Sequence, residues 1–485
     1  MLTTSEIKQF IDEDITSEKK RLAGEGQRYY EGKHDILNRR LFYYNADEVL
    51  VEDKTRTNIK ICHPFFTELN DQLVSYILSF KNNPIRAKQP EIGLQEHLDL
   101  YFNRKFWAEM GDLISGAYNK GFDYMYAYQG ENNRLSFDYA DGMGVVEVDK
   151  KYASDKQNHI LYHYIDKFDK DKKPIIKIQD WTETETYYYT QHDKSGKIEL
   201  DKTVEINPRP HVVYVDEKTG EKKGYPFEFI PFFRLDYNRK QTSGLHPIKA
   251  LIDDYDLMMC SLSNNLADFD TPLYVVSGFE GDNLDQLQQN LKTKKIVGVD
   301  SEGGIDVKTV DVPYQARQAK AHEDKEAIYQ CGMGLDISTL TDTATTNMLI
   351  LAAYTRIKMK ADKLIIRLEA LLEEMLKPVI AEINEQNGTG YDTSDVEIKF
   401  EPVTITNEAE NVANEKVKAE TKQIEVNTIL NIAAEIGEGQ TLKAVCEVMG
   451  YDYEDIKDEI DKQKEFEAPG INESRTALNN LEIVE

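Results

Sequence analysis

This sequence predicts an α+β fold of several domains, and three observations predict it. Apolar residues recur at three- and four-residue intervals in long stretches near 64–80, 246–270 and 346–386, which is the helical period. Between about 120 and 235, Tyr, Val, Ile and Thr instead alternate with polar residues, and Gly, Asn, Asp and Lys mark the turns, which is the strand pattern. The length of 485 residues exceeds what one core serves and, at about 150 residues per domain, allows about three.

In chain order, residues 1–45 read as helix with a turn in QRYYEGKHDILNRR. PFFTELNDQLVSYILSF (64–80) reads as a helix with Pro64 at its first position and Asn82, Asn83 and Pro84 as its stop. A further helix is expected over about 93–119. In the β section YMYAYQGENNRLSFDY, IIKIQDWTETETYYYT and HVVYVDEKTGEKKGYPF read as hairpin or meander pieces. HPIKALIDDYDLMMCSLSNNLADF reads as an amphipathic helix of about six turns. Its apolar side runs from Ile248 to Phe269, and its other side carries Asp254, Ser261, Asn265 and Asp268 toward water or a neighbour.

Residues 273–312 read as a small αβ module: strand, short helix, strand, a turn at Glu302, Gly303 and Gly304, and strand. The next helix, PYQARQAKAHEDKEAIYQC (313–331), is polar nearly all round, with Ala316, Ala319 and Ala321. A helix without an apolar stripe cannot be a core helix of a lone monomer, and the alanines admit a close neighbour. GMGLDISTLTDTAT (332–345) reads as a loop feeding the long helix, which Pro378 is expected to kink or end. In that helix Arg356, Lys360, Lys363 and Arg367 fall within about 60° of each other at ~100° per residue. The stripe is either a solvated, salt-bridged face or a patch that meets DNA or an acidic neighbour. From Gly388 to Glu485 there are 23 acidic and 9 basic residues, half of the net charge, so a separate acidic helical domain with a loose tail after about Glu467 is expected.

Composition narrows function. Asp and Glu number 87 against 59 Lys and Arg, a net charge of −28, which argues against a protein gripping phosphate backbones over its surface and leaves an acidic surface that is solvated or must repel DNA. The N-terminus lacks a basic region followed by an apolar one, and no apolar stretch reaches the roughly 18 residues of a membrane span, so neither secretion by such a signal nor membrane insertion is expected. Cys62, Cys260, Cys331 and Cys446 lie far apart, as suits free thiols in a reducing cytoplasm.

Reactive constellations are mostly missing. There is no GxxxxGK[ST], and Gly24/Gly26 and Gly142/Gly144 lack the strand, third glycine and helix of a dinucleotide site. His159 and His163 share a strand face, expected to be solvent-facing, without the helical geometry of a metalloprotease pair. DKFDKDKKP (166–174) lacks the turn glycine of a calcium loop and reads as a hairpin tip. Asp253 and Asp254 point about 100° apart on a helix and cannot share one reacting atom. No catalytic residue, metal or cofactor is assigned, and no enzyme activity is expected.

Several phrases, in order, resemble the portal proteins of tailed, siphovirus-like bacteriophages. RYYEGKHDILNRR resembles the early "YY-G-HDIL-R" stretch of that family, and NIKICHPFFTELNDQLVSYILSFKNNPI resembles its "D-x-x-V-x-Y-x-x-G-x-P-I" segment, with Ser79-Phe80 and Asn82-Asn83 where a Gly is commoner. YPFEFIPFFRLDYNRKQTSGLHPIKALIDDYDLMMCSLSNNLADFDTPLYVVSG resembles the "LID-YD…S-x-x-x-N" block, STLTDTATTNMLILAAYTRIKMKAD the Thr-rich loop and long helix, and GYDYEDIKDEIDKQKEF the acidic end.

The resemblance implies a ring of twelve copies at a capsid vertex, through which terminase pumps double-stranded DNA that is later ejected, with no ATPase of its own. It implies a wing (1–245), stem helices (246–270 and 313–331), a clip (271–312) that docks the terminase large subunit and later the head-completion adaptor, a tunnel loop (332–345), a long wing helix (346–387) and a crown (388–485). Major capsid and scaffolding proteins are further implied partners, with assembly in the host cytoplasm and residence in the virion. Candidate residues follow: Asp336, Ser338, Thr339, Thr341, Asp342, Thr343 and Thr345 facing DNA from the tunnel loop; Asp254, Ser261, Asn265, Asp268, Gln318 and Lys325 toward the stem lumen; Asp282, Asn283, Gln286 and Glu302 on the clip; and the basic stripe of Arg356, Lys360, Lys363 and Arg367. The alternative is a non-enzymatic virion structural or adhesin-like protein that binds through its Tyr-rich β section.

Overall fold

Thr3 opens the first helix by accepting from the Glu6 amide while the Glu6 carboxylate accepts from the Thr3 amide, a reciprocal capping box that satisfies two orphan donors. The molecule is seen here in a computed structural model, which describes residues 1–269 except 46, 55, 90–92, 131–133 and 216–221, then 273–277, 304–308, 314–336, 347–403 and 408–449, with 453, 454 and 456. Helix α1 (Thr4–Ile15) lays Ile7 and Ile11 on a meander of β6 (Val145–Val148), β7 (His159–Phe168), β8 (Pro174–Trp181), β9 (Glu185–His192) and β10 (Ile198–Leu200). The strands pair antiparallel, and alternate residues such as Leu161, Ile178 and Tyr189 meet the helix, so the period-2 pattern becomes one apolar face.

A second layer holds the larger core. Helices α3 (Phe65–Ile77), α4 (Leu94–Tyr101) and α5 (Arg104–Lys120) pack with the three-stranded sheet β14 (Phe232–Asp236), β4 (Phe122–Gln129) and β5 (Leu135–Ala140), and with the long helix α8 (Asn347–Asn387). Leu364, Leu368, Leu371, Met375, Val379 and Ile383 of α8 all lie in this core at helical spacing. Gly121 ends α5 at φ +92°, where a Cβ would meet the Gln241 carbonyl oxygen at 2.2 Å, so the chain can turn directly into β4 only with glycine there.

Helix α2 (Glu18–Tyr30) packs on α5, and α6 (Lys249–Phe269) packs on α7 (Tyr314–Cys331). Strands β15 (Leu273–Ser277) and β16 (Gly304–Lys308) pair antiparallel. The helix and strand expected between them lie outside the described residues, as does the tail after Glu467. The β section matches its hairpins: β4 with β5, β8 with β9, and β12 (Val212–Val215) with β13 (Lys222–Tyr225). DKFDKDKKP is the β7–β8 tip.

Five expectations change. Residues 42–45 are not helical: β1 (Phe42–Tyr44) and β2 (Leu50–Glu52) form an antiparallel hairpin, because the aromatic run favours extended backbone and the Asn45 side chain accepts from the Asp47 and Val49 amides at 3.0 and 2.9 Å. The helix expected over 93–119 is two, split where Asn103 caps α5 by accepting from the Lys105 and Phe106 amides. Helix α3 ends at Ile77, ahead of the Asn-Asn-Pro stop, and Pro64 is its cap. Helix α8 runs through Pro378, since buried Met375, Leu376, Val379 and Ile380 on both sides hold the turn that lacks one amide donor. The strand face of His159 is not solvated but packs under α1: His159 is buried, with Nδ1 2.7 Å from Asp180 and Nε2 3.0 Å from Asp155.

The chain divides into two compact units, Met1–Asp342 with Ala352–Thr404, and Thr343–Leu351 with Ile405–Glu485. The acidic C-terminal region therefore begins later than Gly388, because β17 (Val396–Ile398) pairs with β3 (Ile85–Ala87) in the first unit. In the second unit α9 (Glu408–Asn431) packs with α11 (Glu438–Met449), joined through the short α10 (Ala433–Ile436). Among the described residues no helix is long and apolar enough to cross a membrane.

Pro378→Ala restores the missing amide donor inside a packed helix. It is expected to stabilise the protein by about 1–3 kcal/mol, read as a higher midpoint in denaturant at unchanged slope.

Candidate functional site

Helix α6 is the axis of the site, and its buried edge is not purely apolar. Ile248, Ile252, Asp256, Cys260 and Asn264 stand four residues apart along one edge and all are buried. Antiparallel to them, alternate residues of the segment before α3 make contact. The Ile59 amide donates to Asn264 Oδ1 at 2.6 Å, the Ile61 amide to Cys260 Sγ at 3.1 Å, and the His63 amide to Asp256 Oδ1 at 2.9 Å. An extended chain advances about 6.6 Å in two residues and a helix about 6 Å in four, so the two stay in step over three contacts.

Asp256 is the deepest of these groups. Its Oδ2 meets His34 Nδ1 and its Oδ1 meets His63 Nδ1, both at 2.7 Å, and His34 is itself buried, stacked on Tyr29 at 4.5 Å. Burial works to raise the pKa of this carboxyl, and the hydrogen bonds from His34 and His63 outweigh it and hold Asp256 below the usual carboxylate range. One turn earlier, Lys249 Nζ bridges Asp253 and Asp35 at 2.7 Å each. Against the opposing effect of burial, Lys249 and Arg28 hold Asp35 down at about 2. Asp253 also accepts from the Tyr29 hydroxyl, whereas Asp254 faces α7, so the adjacent carboxylates diverge as the helical geometry requires.

The polar side of α6 is stitched to α7. Lys320 Nζ reaches Asp254 at 2.6 Å and also pairs with Asp324. Asn265, with its amide oxygen turned to α7, accepts from Arg317 at 2.8 and 3.3 Å. Lys325 pairs with Asp336 at 3.0 Å. The expected stem residues thus fall into two sets. Asp254, Asn265 and Lys325 make polar contacts within this chain, Gln318 is exposed, and Ser261 and Asp268 are half-buried. Beyond α7 the chain is pinned to α3: Gln72 exchanges hydrogen bonds with the Leu335 backbone at 2.8 and 2.9 Å, and a Cβ at Gly334 would lie 2.0 Å from the Leu69 side chain. Asp336 belongs to this pinned start; Ser338, Thr339, Thr341, Asp342, Thr343 and Thr345, and the clip candidates Asp282, Asn283, Gln286 and Glu302, lie outside the described residues.

The basic stripe does not hold together. Arg356 and Lys363 are exposed and Arg367 half-buried, but Lys360 is only 5% exposed. Its ammonium donates to the Tyr118 hydroxyl at 2.9 Å, the Gly332 carbonyl at 3.1 Å and the Leu69 carbonyl at 3.5 Å. It sits at the C-terminal end of α7, where helix carbonyls lack amide partners and the dipole favours a cation. Burial lowers its pKa to about 7. Neither a solvated face nor a surface patch describes this lysine. Sequence periodicity placed Lys360 on the stripe but carried no signal of burial, since Tyr118 and Gly332 are distant in the chain.

His159 and His163 do not converge on a site. Burial works to lower the His159 pKa, but Asp180 and Asp155 raise it on balance, while burial pushes His163 down to about 4. Among the described residues no group of three His, Cys, Asp or Glu side chains is arranged to hold a metal ion. The arrangement around α6 and α7 consists of two long helices joined by charge, with a polar face left over.

A family profile described as "Phage portal protein, SPP1 Gp6-like" matches residues 8–465. The portal protein of Bacillus phage SPP1 is 26% identical over 323 residues, 65% of this chain and 61% of that protein, so the chain spans less than two thirds of that relative. The portal protein of Clostridium phage phiCD119 is 21% identical over 372 residues, 73% of this chain and 77% of that protein.

The Lys360 ammonium carries a pH dependence whose sign follows from its pKa. Above its ordinary 10.5 neither state binds the proton, and between 10.5 and about 7 only the unfolded chain does. Stability therefore falls as the pH is lowered through that window, and the full penalty holds below it. Lys360→Met removes the penalty. Its unfolding free energy, read from denaturant titrations at several pH values, should exceed that of the parent most below pH 7, by a few kcal/mol at about 1.4 kcal/mol per pKa unit, and the gap should close toward pH 10. A gap that does not change with pH counts against an uncompensated ammonium.

Proposed function

Because the chain belongs to the SPP1 Gp6-like family of phage portal proteins, we propose that it works as a portal. In this reading a ring of twelve copies at one capsid vertex passes double-stranded DNA, driven in by terminase and later released through the same channel. The α+β first unit supplies the wing and the α6/α7 stem, residues 271–312 the clip that docks terminase and the head-completion adaptor, 332–345 the tunnel loop, and the second unit after Thr404 the acidic crown. Capsid and scaffolding proteins hold the ring at its vertex. The protein is a structural part of the virion, and the work of DNA movement belongs to terminase.

The observation that carries this reading is α7. It buries Ala321, Asp324, Ile328 and Tyr329 on one side and leaves Gln315, Gln318, His322, Glu323 and Glu326 exposed along the other. A helix so polar needs water or a neighbouring subunit on that side, and a hydrated ring supplies both. The charge supports the same reading. Duplex DNA carries about one charge per 1.7 Å, and a basic wall would trap it through counterion release. Here the net charge is −28, and Lys249, Lys320 and Lys325, the lysines of α6 and α7, are already matched to Asp35, Asp253, Asp254, Asp324 and Asp336. Such a wall lets the duplex slide.

Two measurements test the proposal. Light scattering and negative-stain imaging of the purified protein should find an annular particle of about 670 kDa, twelve 55.8 kDa chains in a closed ring. A monomer that persists with capsid and scaffolding proteins present removes the portal reading. Shortening the loop between Asp336 and Thr345 should leave the particle mass unchanged while lowering the DNA packaged per capsid; unchanged packaging takes the tunnel role away from that loop.

A further inference from the structure

The β1/β2 hairpin leaves large apolar side chains uncovered. Phe42 pairs across the strands with Glu52, and Tyr44 with Leu50, so Phe42, Tyr44 and Leu50 share one face. They are 53%, 72% and 55% exposed, and no residue of the hairpin joins a core cluster. A two-stranded hairpin alone is marginal in water, and three large apolar side chains on one exposed face mark a contact surface. Its position is set: the chain leaving the hairpin is the segment whose Ile59, Ile61 and His63 amides are bound along α6.

We propose that this hairpin is an arm between copies of the chain, lying in each copy on the exposed face of α7 in the next. The inference rests on the ring reading above and names the surfaces that build it. Two arguments choose this occupant. Around α6, the residues that bind the hairpin's stalk (Asp256, Cys260, Asn264) and those that meet α7 (Asp254, Asn265) are about 120° apart at ~100° per residue. The two surfaces therefore lie on different sides of the same helix. A ring closed by rotation joins two different patches in this way, whereas a two-fold dimer joins a patch to itself.

Charge makes the second argument. Copies that carry −28 each repel, so they meet only where local charges oppose. The hairpin carries exposed Asp47, Glu48 and Glu52, but at its foot Arg40, Lys54 and Arg56 are exposed and basic, and these meet the exposed face of α7, which carries Glu323 and Glu326, with Ala316 and Ala319 leaving room for aromatic rings.

The test uses the full chain. Replacing Phe42, Tyr44 and Leu50 with Ser should leave the thermal midpoint unchanged and shift the particle from ring to monomer in light scattering. Lys54→Glu with Arg56→Glu should weaken the ring at low salt, and adding Glu323→Lys with Glu326→Lys should restore it. A photo-reactive phenylalanine analogue at Tyr44, on the docking face, should give covalent ladders whose joined peptide lies in 314–331. Rings that persist in the triple variant, charge variants that are not rescued, or cross-links mapping elsewhere while the parent remains a ring overturn the arm but leave the portal standing. A parent chain that stays monomeric even with capsid and scaffolding proteins present overturns the portal reading itself.

Discussion

The buried carboxylate of Asp256 ties α6 to the segments around the β1/β2 hairpin. Asp256 has no exposure to solvent, and a charge in that position is tolerable only when hydrogen bonds replace its water. Its partners come from two separate stretches, His34 after α2 and His63 before α3. Once those imidazoles are fixed on α6, the 28 residues between them must leave and return to the same helix edge. The excursion is the β1/β2 hairpin, and its return limb is the segment bound in step along Cys260 and Asn264. The same anchoring turns the opposite side of α6, with Asp254 and Asn265, toward α7.

The second constraint is the end of α7. Gly332 and Gly334 lie against Leu69, Gln72 holds the Leu335 backbone, and the Lys360 ammonium reaches the Gly332 carbonyl from inside the core. Three elements that are far apart in sequence, α3, α7 and α8, are thereby locked at one point. A cation without a carboxylate partner is an expensive way to do this, and its lowered pKa expresses that cost. The geometry fixes the chain firmly as far as Leu335 and Asp336.

Charge runs through the structure at both scales. Locally, ion pairs consume the lysines of the helix pair, while Arg317, among the described residues, meets only the neutral amide of Asn265. Globally, acids exceed bases by 28, so like charge dominates the chain. In the portal proposed above, which handles DNA without holding it, repulsion would be the default and attraction local.

Much of this was legible beforehand for a physical reason. Secondary structure and amphipathic faces follow from periods of 2 and 3.6 residues, so α3, α6, α8 and the β hairpins could be read from spacing, and the polar α7 could be read as a helix in need of neighbours. Family motifs spread over the chain pointed to the portal class. Boundaries were less legible, because the Asn45 turn, the Asn103 cap and the Val396–Ile398 pairing depend on single side chains or on partners hundreds of residues away. The buried charges were not legible at all. Nothing in the apolar stripe of α6 sets Asp256 apart from Asp254, and nothing in the basic stripe sets Lys360 apart from Lys363. Which of two like charges is buried depends on what packs over it, and that is decided by contacts between segments the sequence does not place side by side.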